Sequence, residues 1–474
     1  MMRTYPLDAG AKTPLYEQLY RAIRQDIMSG ALAGGQRMPS KRRLAAHLEV
    51  SQSTIETAYG QLAAEGYLLA KPRSGYFVQS MERAAPDTPA APEAPAAPAA
   101  PDAPDAPDAP AVAFDLRTNR VDTDGFPFAT WAKLLRGELT CRASQLLDAV
   151  PPQGAPELRA QICEYLAEFR GIRARPEQVV VGAGSEYLLM LLIQLLGRER
   201  VYALENPGYP QLRRVFCAGG AQVAPIGLDG SGLRVDALRR SRAGAVYLTP
   251  SHHFPLGVVM PAARRLEVLQ WAAEGQDRYI LEDDYDSEFR YASRPIPAMK
   301  QLDHAGRVIY LNTFAKSLAP SLRIGYMVLP ERLLPAYRET LGFYASTVPS
   351  FEQYTLARFL QSGSFERHVA RIRNRYKSRR DRLLAALQRS TLAGRLHVTG
   401  AEAGLHLLAR LDGPLSEAQM VARAAQCGVR VAGLSGYYLP GSEACPPATV
   451  LLGYAGLAGD APEQAVAALE TAWG

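Results

Sequence analysis

The sequence predicts a multidomain protein: a small helical head with a β-wing, a rod-like spacer, and a large α/β body with a smaller C-terminal α+β subdomain. Three observations carry this. Proline recurs at every third position from Pro86 to Pro110. Downstream, short strand-like runs alternate with helical stretches. Upstream, two short helical patterns flank a tight turn. At 474 residues, 47% hydrophobic and 21% charged, the chain is also too long for one ordinary core.

In the head, Leu15, Leu19, Ile23 and Ile27 recur at four-residue spacing behind Pro14, which predicts a helix to about Met28. Ser40 is placed to cap a second helix, Lys41–Leu48, with Leu44, Ala45 and Leu48 inward. After a turn at Glu49-Val50, Ser51 caps a third helix running through Gly60 to Ala64, which Gly66 ends. Tyr67–Ala70 and Gly75–Val78 read as a hairpin wing around Lys71-Pro72-Arg73-Ser74.

Two short helices with a tight turn make a helix-turn-helix, whose second helix enters a major groove by its N-terminus. Ser51, Gln52, Ser53, Thr54 and Thr57 stand there, small or amide-bearing and able to donate to phosphates and base edges. Lys41, Arg42 and Arg43 open the preceding helix, placed for phosphates. Lys71 and Arg73 lie at the wing tip, where a minor groove would be. The competing reading is a small helical domain whose Ser and Thr only cap helices. Within a net charge of +6, residues 1–83 carry 11 Lys/Arg against 7 Asp/Glu, whereas 84–113 carry 5 acids and no bases. A basic segment before an acidic spacer suits a nucleic-acid-binding head. Charge alone does not decide it.

The spacer, 84–113, holds 9 prolines and 14 alanines and no glycine. Proline every third residue matches the turn of polyproline II, and such a rod reaches on the order of 90 Å at ~3.1 Å per residue. It cannot bury a core, so it separates domains that fold independently, here 1–83 and 114–474.

In the body, Glu177–Val181, Arg200–Leu204, Ala245–Leu248, Arg278–Leu281 and Val308–Leu311 read as strands with helical stretches among them, an α/β pattern with a largely parallel sheet. The basic helical stretch Phe365–Leu387 and the segment from Gly394 onward form the smaller subdomain. The longest apolar run, Tyr187 to Leu196, is too short to span a bilayer, and no apolar signal core opens the chain, so a cytoplasmic location is expected. Five scattered cysteines without CxxC spacing argue against structural zinc and a disulfide framework.

Three separated segments form one chemical device. In Thr313-Phe-Ala-Lys316-Ser-Leu-Ala-Pro-Ser-Leu-Arg323, a lysine on a turn among small residues can form a Schiff base with an aldehyde cofactor. Arg323 can return as a bidentate phosphate clamp, and Thr313 can add a hydroxyl. A lone lysine is otherwise a solvated surface charge. In Glu282-Asp283-Asp284-Tyr285-Asp286, at a strand end, one carboxylate can hold a pyridine nitrogen protonated and Tyr285 can donate to a phenolic oxygen. The cluster could otherwise bind a divalent metal, but no His-rich segment or phosphate-transfer loop accompanies it. In Val180-Val-Gly182-Ala-Gly184-Ser185, backbone N–H groups at a helix start can cradle a phosphate, a weak signal alone. Tyr209, on a turn after a further strand, can stack on a cofactor ring or pack against the core. His252 and His253 are sequential and point apart, against a metal pair. No metal site is expected.

The string Met38-Pro-Ser-Lys-Arg-Arg-Leu-Ala, Val50-Ser-Gln-Ser-Thr-Ile, Ala58-Tyr-Gly-Gln-Leu and Gly75-Tyr-Phe-Val resembles the GntR-family winged head. Arg42 falls on that family's phosphate-binding arginine, and Gln52 stands where many members have Arg. Asn206-Pro-Gly-Tyr-Pro, Thr249-Pro-Ser-His, Glu282-Asp-Asp-Tyr-Asp-Ser-Glu-Phe and Phe314-Ala-Lys-Ser-Leu-Ala-Pro-Ser-Leu-Arg resemble, in order, fold-type-I aminotransferases. Together they resemble the MocR group, regulators that join the two. The resemblance implies pyridoxal 5'-phosphate as cofactor, with Lys316 the Schiff-base lysine, Asp283 the pyridine partner and Tyr285 the phenolic-oxygen donor. It makes Tyr209 the stacking ring, Gly184 and Ser185 part of the phosphate cup, and Arg323 the phosphate arginine. It further implies a homodimer in head-to-tail arrangement, reading a double-stranded DNA operator and a small-molecule effector.

This chain departs from the aminotransferase pattern at three places. Ala315 replaces the Ser that usually precedes the lysine. Val450-Leu-Leu-Gly-Tyr-Ala lacks the C-terminal arginine that binds a substrate carboxylate, and Gln211 offers no charge where some relatives place Arg. Arg430 falls on a different strand-like run. The expectation is therefore a regulator, not an enzyme, that senses an amine or the cofactor itself through the Lys316 Schiff base. A functional aminotransferase with an appended head is the alternative.

Overall fold

A computed structural model describes residues 3–8, 10–11, 13–72, 74–79, 112–118, 121–291, 296–439 and 445–474. It divides into two compact units, Met1–Pro98 and Ala99–Gly474. Nearly all of the proline-periodic spacer, and Arg73 of the wing, lie outside the described residues.

The head comprises helices α1 (Leu15–Ser29), α2 (Lys41–Leu48) and α3 (Gln52–Ala64) and an antiparallel hairpin, β1 (Leu68–Lys71) with β2 (Gly75–Val78). Leu19, Ile23, Ile55, Ala58, Tyr59 and Leu62 are fully buried in its core. Leu15 and Leu48 are only half-buried. Capping follows expectation: the Ser40 hydroxyl accepts from the Arg43 N–H and Ser51 from Thr54. Between them Glu49 takes a left-handed conformation, φ 55°, which swings α3 out of line with α2.

The body begins at β3 (Phe114–Asp115), followed by α4 (Phe128–Cys141) and α5 (Pro156–Arg170). The main sheet is built from β4 (Val179–Gly182), β5 (Val201–Asn206), β6 (Gln222–Asp229), β7 (Gly232–Leu233), β8 (Ala245–Leu248), β9 (Tyr279–Asp283), β10 (Val308–Thr313) and β11 (Gly325–Val328), in spatial order β4-β11-β10-β9-β8-β5-β6-β7. From β10 to β6 all pairings are parallel. β11 runs antiparallel between β10 and β4, and β7 antiparallel on β6. Sequence periodicity missed β6 and β11. β6 carries Pro225 and Gly227, which a strand tolerates here because only the two-residue β7 lies on its far side. β11 opens on Gly325 and is four residues long.

Helices α6 (Ser185–Leu196), α7 (Pro210–Ala218), α8 (Val235–Arg240), α9 (Ala262–Glu274), α10 (Met299–Leu302), α11 (Leu334–Leu341) and α12 (Ser350–Gln361) cover the sheet, whose strands other than β6 are buried on both faces. The long α13 (Ser364–Arg389) leads into the subdomain: β12 (Leu396–Thr399), β13 (His406–Leu411), α14 (Glu417–Gln426), β14 (Val429–Arg430), β15 (Ala432–Gly433), β16 (Thr449–Gly453) and α15 (Ala461–Trp473). Four of its strands form an antiparallel sheet, β12-β13-β16-β15, while β14 pairs with β3 and so ties the body's first residues into the subdomain.

Candidate functional site

The carboxyl ends of β5, β8, β9 and β10 converge on a cavity of about 350 Å³, where ligands of open α/β sheets bind. Lys316, Asp283, Tyr285, Tyr209, Gly184, Ser185, Thr313 and Arg323 all line it, brought together from four separate stretches of sequence. Each is placed by a strand end or the loop that follows.

Lys316 lies in the turn after β10, closed by the Leu318 N–H donating to the Phe314 carbonyl at 2.8 Å. The buried Thr313 hydroxyl donates to the Ile324 carbonyl at 3.3 Å and accepts from the Ala315 N–H at 3.1 Å. It therefore braces the lysine turn, a use that the sequence reading, which gave it a phosphate, did not foresee. Arg323, with φ 50°, does return toward the start of α6. Its Nη2 lies 2.6 Å from Glu186 Oε2, an ion pair that is half-exposed. Gly184 sits beneath it with φ 91° and ψ 172°, a conformation open in practice only to glycine, and a Cβ there would lie 2.7 Å from Arg323 Nη2.

Asp283 ends β9, buried, with Oδ2 accepting from the Tyr247 hydroxyl and Oδ1 without a hydrogen-bond partner. Burial pushes its carboxyl up to about 7, against the pull of the Tyr247 hydrogen bond. The other acids of this run diverge. Glu282 accepts from the Met299 and Lys300 N–H groups, Asp284 pairs with Arg170 at 2.8 Å, and Asp286 with His252 at 2.7 Å. Glu288 accepts from Tyr165 at 3.0 Å. Among the described residues no group of three or more His, Cys, Asp or Glu side chains is placed to hold a metal ion. Tyr285 is held in the wall near the His252 carbonyl, and burial raises its hydroxyl far above the ordinary tyrosine range. Tyr209 meets the edge of Phe254 with ring centroids 5.8 Å apart.

Sequence reasoning missed Tyr247, Glu205 and Phe254, which share the cavity wall. Glu205 accepts from both the Thr249 N–H and hydroxyl at 2.9 Å, and burial lifts it to about 7. The signal for Tyr247 was available: it is a polar-tipped residue one position from the end of a strand already read from the sequence. Arg430 lies on β14, outside the cavity lining.

In the head, Ser51, Gln52, Ser53 and Thr57 are exposed and Thr54 half-buried at the start of α3. Ser51 serves as its cap, and Thr57 donates back to the Ser53 carbonyl at 2.9 Å. Arg42 and Arg43 are exposed. Lys41 is paired with Glu56 of α3 at 2.5 Å, and Lys71 lies over the Phe77 ring at 4.9 Å. Glu56, exposed on the recognition helix beside Gln52, is an acid the sequence reading passed over.

A winged helix-turn-helix joined to a body with this sheet order and cavity defines a class, the DNA-binding regulators with an aminotransferase-like domain. The comparisons agree. Residues 15–78 match the family described as bacterial regulatory proteins, gntR family, and residues 113–444 match aminotransferase class I and II. The chain is 40% identical to the uncharacterized HTH-type transcriptional regulator YhdI of Bacillus subtilis, over 98% of this chain and 97% of that protein. It is 35% identical to the probable rhizopine catabolism regulatory protein MocR of Rhizobium meliloti, over 95% and 92%. The kynurenine aminotransferase of Pyrococcus horikoshii superposes with a TM-score of 0.66 at 27% identity, over 76% of this chain and 90% of that one. This chain belongs to the MocR-type family of HTH transcriptional regulators, a gntR head fused to an aminotransferase class I and II domain. No helix among the described residues is long and apolar enough to cross a membrane.

Proposed function

We propose that this regulator holds pyridoxal 5'-phosphate at Lys316 and reads a small amine, or the cofactor itself, as its signal. The observation that carries the reading is Asp283: a buried carboxylate with one oxygen unpartnered, in the wall of a cavity that also contains a lysine. A protonated pyridine nitrogen supplies the missing donor, and its charge favours the ionised carboxylate that burial alone disfavours. The groups for the phosphate fit as well. Ser185 offers its N–H at the start of α6 and Arg323 lies over Gly184, whose own N–H donates to the Gly182 carbonyl at 2.8 Å and would have to turn from it to reach a phosphate. Tyr285 can donate to the phenolic oxygen and Tyr209 can cover the ring. When bound, the cofactor supplies an aldehyde that captures primary amines. Glu186 already engages Arg323, so a phosphate must share or displace that ion pair.

Sensing is favoured over turnover because the relatives are regulators and because the stretch Val450-Leu-Leu-Gly-Tyr-Ala, which includes most of β16, carries no arginine for a substrate carboxylate. In the head, Arg42 and Arg43 with the start of α3 are the DNA-facing groups, joined by Lys41, Lys71 and Arg73. The domains are 1–83, the spacer 84–113, and 114–474. The protein works as a cytoplasmic homodimer in head-to-tail arrangement, so that two heads read paired half-sites.

The test uses full-length protein and duplex operators selected from a random pool. The loaded protein should show a visible absorbance band that Lys316→Ala abolishes, and operator affinity should change on loading or on adding amines. If Lys316→Ala binds operator and responds as the unmodified protein does in every condition, the reading is wrong. Steady transamination without specific operator binding would favour the aminotransferase alternative.

A further inference from the structure

The outward face of the recognition helix carries an acid and no cation. Along α3, Ile55, Ala58, Tyr59 and Leu62 are buried in the head's core, while Gln52, Ser53, Glu56, Thr57 and Gly60 are exposed. The helix contains neither Lys nor Arg. The commonest specific contact, an arginine or lysine on guanine, is therefore not open to it. Its short side chains are engaged locally: the Ser53 hydroxyl lies 2.8 Å from that of Ser51, and Thr57 donates to the Ser53 carbonyl at 2.9 Å. Gln52 and Glu56 remain on this face with the length to reach a base edge, four residues apart and so on one side of the helix.

An acid in this place needs a reason, because the groove is walled by phosphates. The head supplies a countercharge. Lys41, from the start of α2, reaches across the helix-turn-helix and sets its Nζ 2.5 Å from Glu56 Oε1. The same ammonium lies over the Tyr76 ring of β2 at 5.6 Å, which ties α2, α3 and the wing at one point. Lys41 is half-buried, whereas the Glu56 side chain keeps 62% of its surface exposed. The pair is neutral overall, and with Oε1 taken by Lys41, Oε2 is left to accept from a ligand. Exposed ion pairs add little to stability, so the fold itself hardly requires this one.

We infer that Glu56 is a base reader that accepts a hydrogen bond from the exocyclic amino group of a cytosine, with Lys41 as the positioning residue that holds its carboxylate and cancels its charge beside the phosphates. A carboxylate can only accept, and the major groove offers two donors, the N4 amino group of cytosine and the N6 amino group of adenine. The adenine amino group sits between two acceptors, its own N7 and the thymine O4, which repel a carboxylate. That of cytosine has an acceptor, guanine O6, on one side alone. Gln52, which both donates and accepts, suits adenine. Four residues of helix rise about 6 Å, against about 3.4 Å per base step, so the adenine and the cytosine lie one or two base pairs apart in each half-site. The inference rests on the reading that the start of α3 faces DNA, and it names the bases read there.

The experiment selects operators from a random duplex pool with full-length protein and measures binding to every single-base variant of the selected site. Unmodified protein is compared with Glu56→Ala, Glu56→Gln and Lys41→Met, each shown by circular dichroism to be folded. The unmodified protein should prefer cytosine by about 5- to 10-fold at one base pair of each half-site, the lower end for a base contact because one hydrogen bond is made. Glu56→Ala should erase that preference and leave the others in place. Glu56→Gln should turn it toward adenine, and Lys41→Met should shrink it at the same base pair. A selected operator with no such cytosine overturns the inference, as does a preference that Glu56→Ala leaves intact. A gain in affinity spread evenly over all sequences in Glu56→Ala also overturns it, since Glu56 would then be a bare charge beside phosphates. Failure to select any specific duplex is a different result, which removes both this inference and the reading beneath it.

Discussion

Replacing Gly184 by alanine tests the phosphate end of the cavity. The perturbation acts twice. At φ 91° and ψ 172° an L-residue is strained by roughly 1–3 kcal/mol. The new Cβ would also lie 2.7 Å from Arg323 Nη2 and 3.0 Å from its Cζ, so the guanidinium must leave its position over the start of α6. A hydrogen bond to a charged group contributes about 1.5–3 kcal/mol, so losing the Arg323 contact to a phosphate should weaken cofactor binding by about 10- to 150-fold. Equilibrium titration of the full-length variant with pyridoxal 5'-phosphate, followed by absorbance, measures this. Pyridoxal, which lacks the phosphate, serves as the control and should bind the variant and the parent alike. Unchanged affinity for the phosphorylated form, in a variant shown by circular dichroism to be folded, would refute the assignment of Gly184 and Arg323 to a phosphate.

Three further outcomes are expected. Arg170→Ala leaves Asp284 buried without its 2.8 Å partner and should destabilise the body by about 3–5 kcal/mol, measured by thermal or urea unfolding. Burial raises Asp283 and Glu205 to about 7 from an ordinary carboxylate value near ~4. The fold thus favours their protonated forms, so their contribution is greatest below ~4 and is lost as pH rises through about 7. The cofactor-free protein should melt at lower temperature at pH 8 than at pH 5, and Asp283→Asn should shrink that difference. A difference unchanged in the variant would count against it. Arg42→Ala, at an exposed arginine, should weaken DNA binding about uniformly across sequences and reduce the slope of log affinity against log salt by about 1. Loss confined to one sequence would instead make Arg42 a base reader.

The head was legible almost residue by residue because its signals are local. Ser40 and Ser51 cap the helices they precede, and Gly66 and the Lys71–Gly75 turn end what comes before them. In the body the parallel strands showed as apolar runs, since a strand buried on both faces needs no alternation. β6 and β11 stayed hidden because proline, glycine and shortness erase that signal.

By itself, the sequence determined the two-part design, the strands of the parallel core, and the lysine, aspartate, tyrosines and arginine that line one cavity. Those depend on short-range chemistry: caps, turns, apolar runs and motifs carried on single loops. Only the tertiary structure decided what those residues do to one another. It set Tyr247 on Asp283 across two neighbouring strands, turned the Thr313 hydroxyl back to brace its own loop, and placed Glu186 on Arg323. It also placed Phe254, Tyr437 and Tyr438 of one apolar cluster in the cavity wall. Most of these contacts join residues from different elements, and their partners are chosen by the order and direction of strands, which no local pattern encodes.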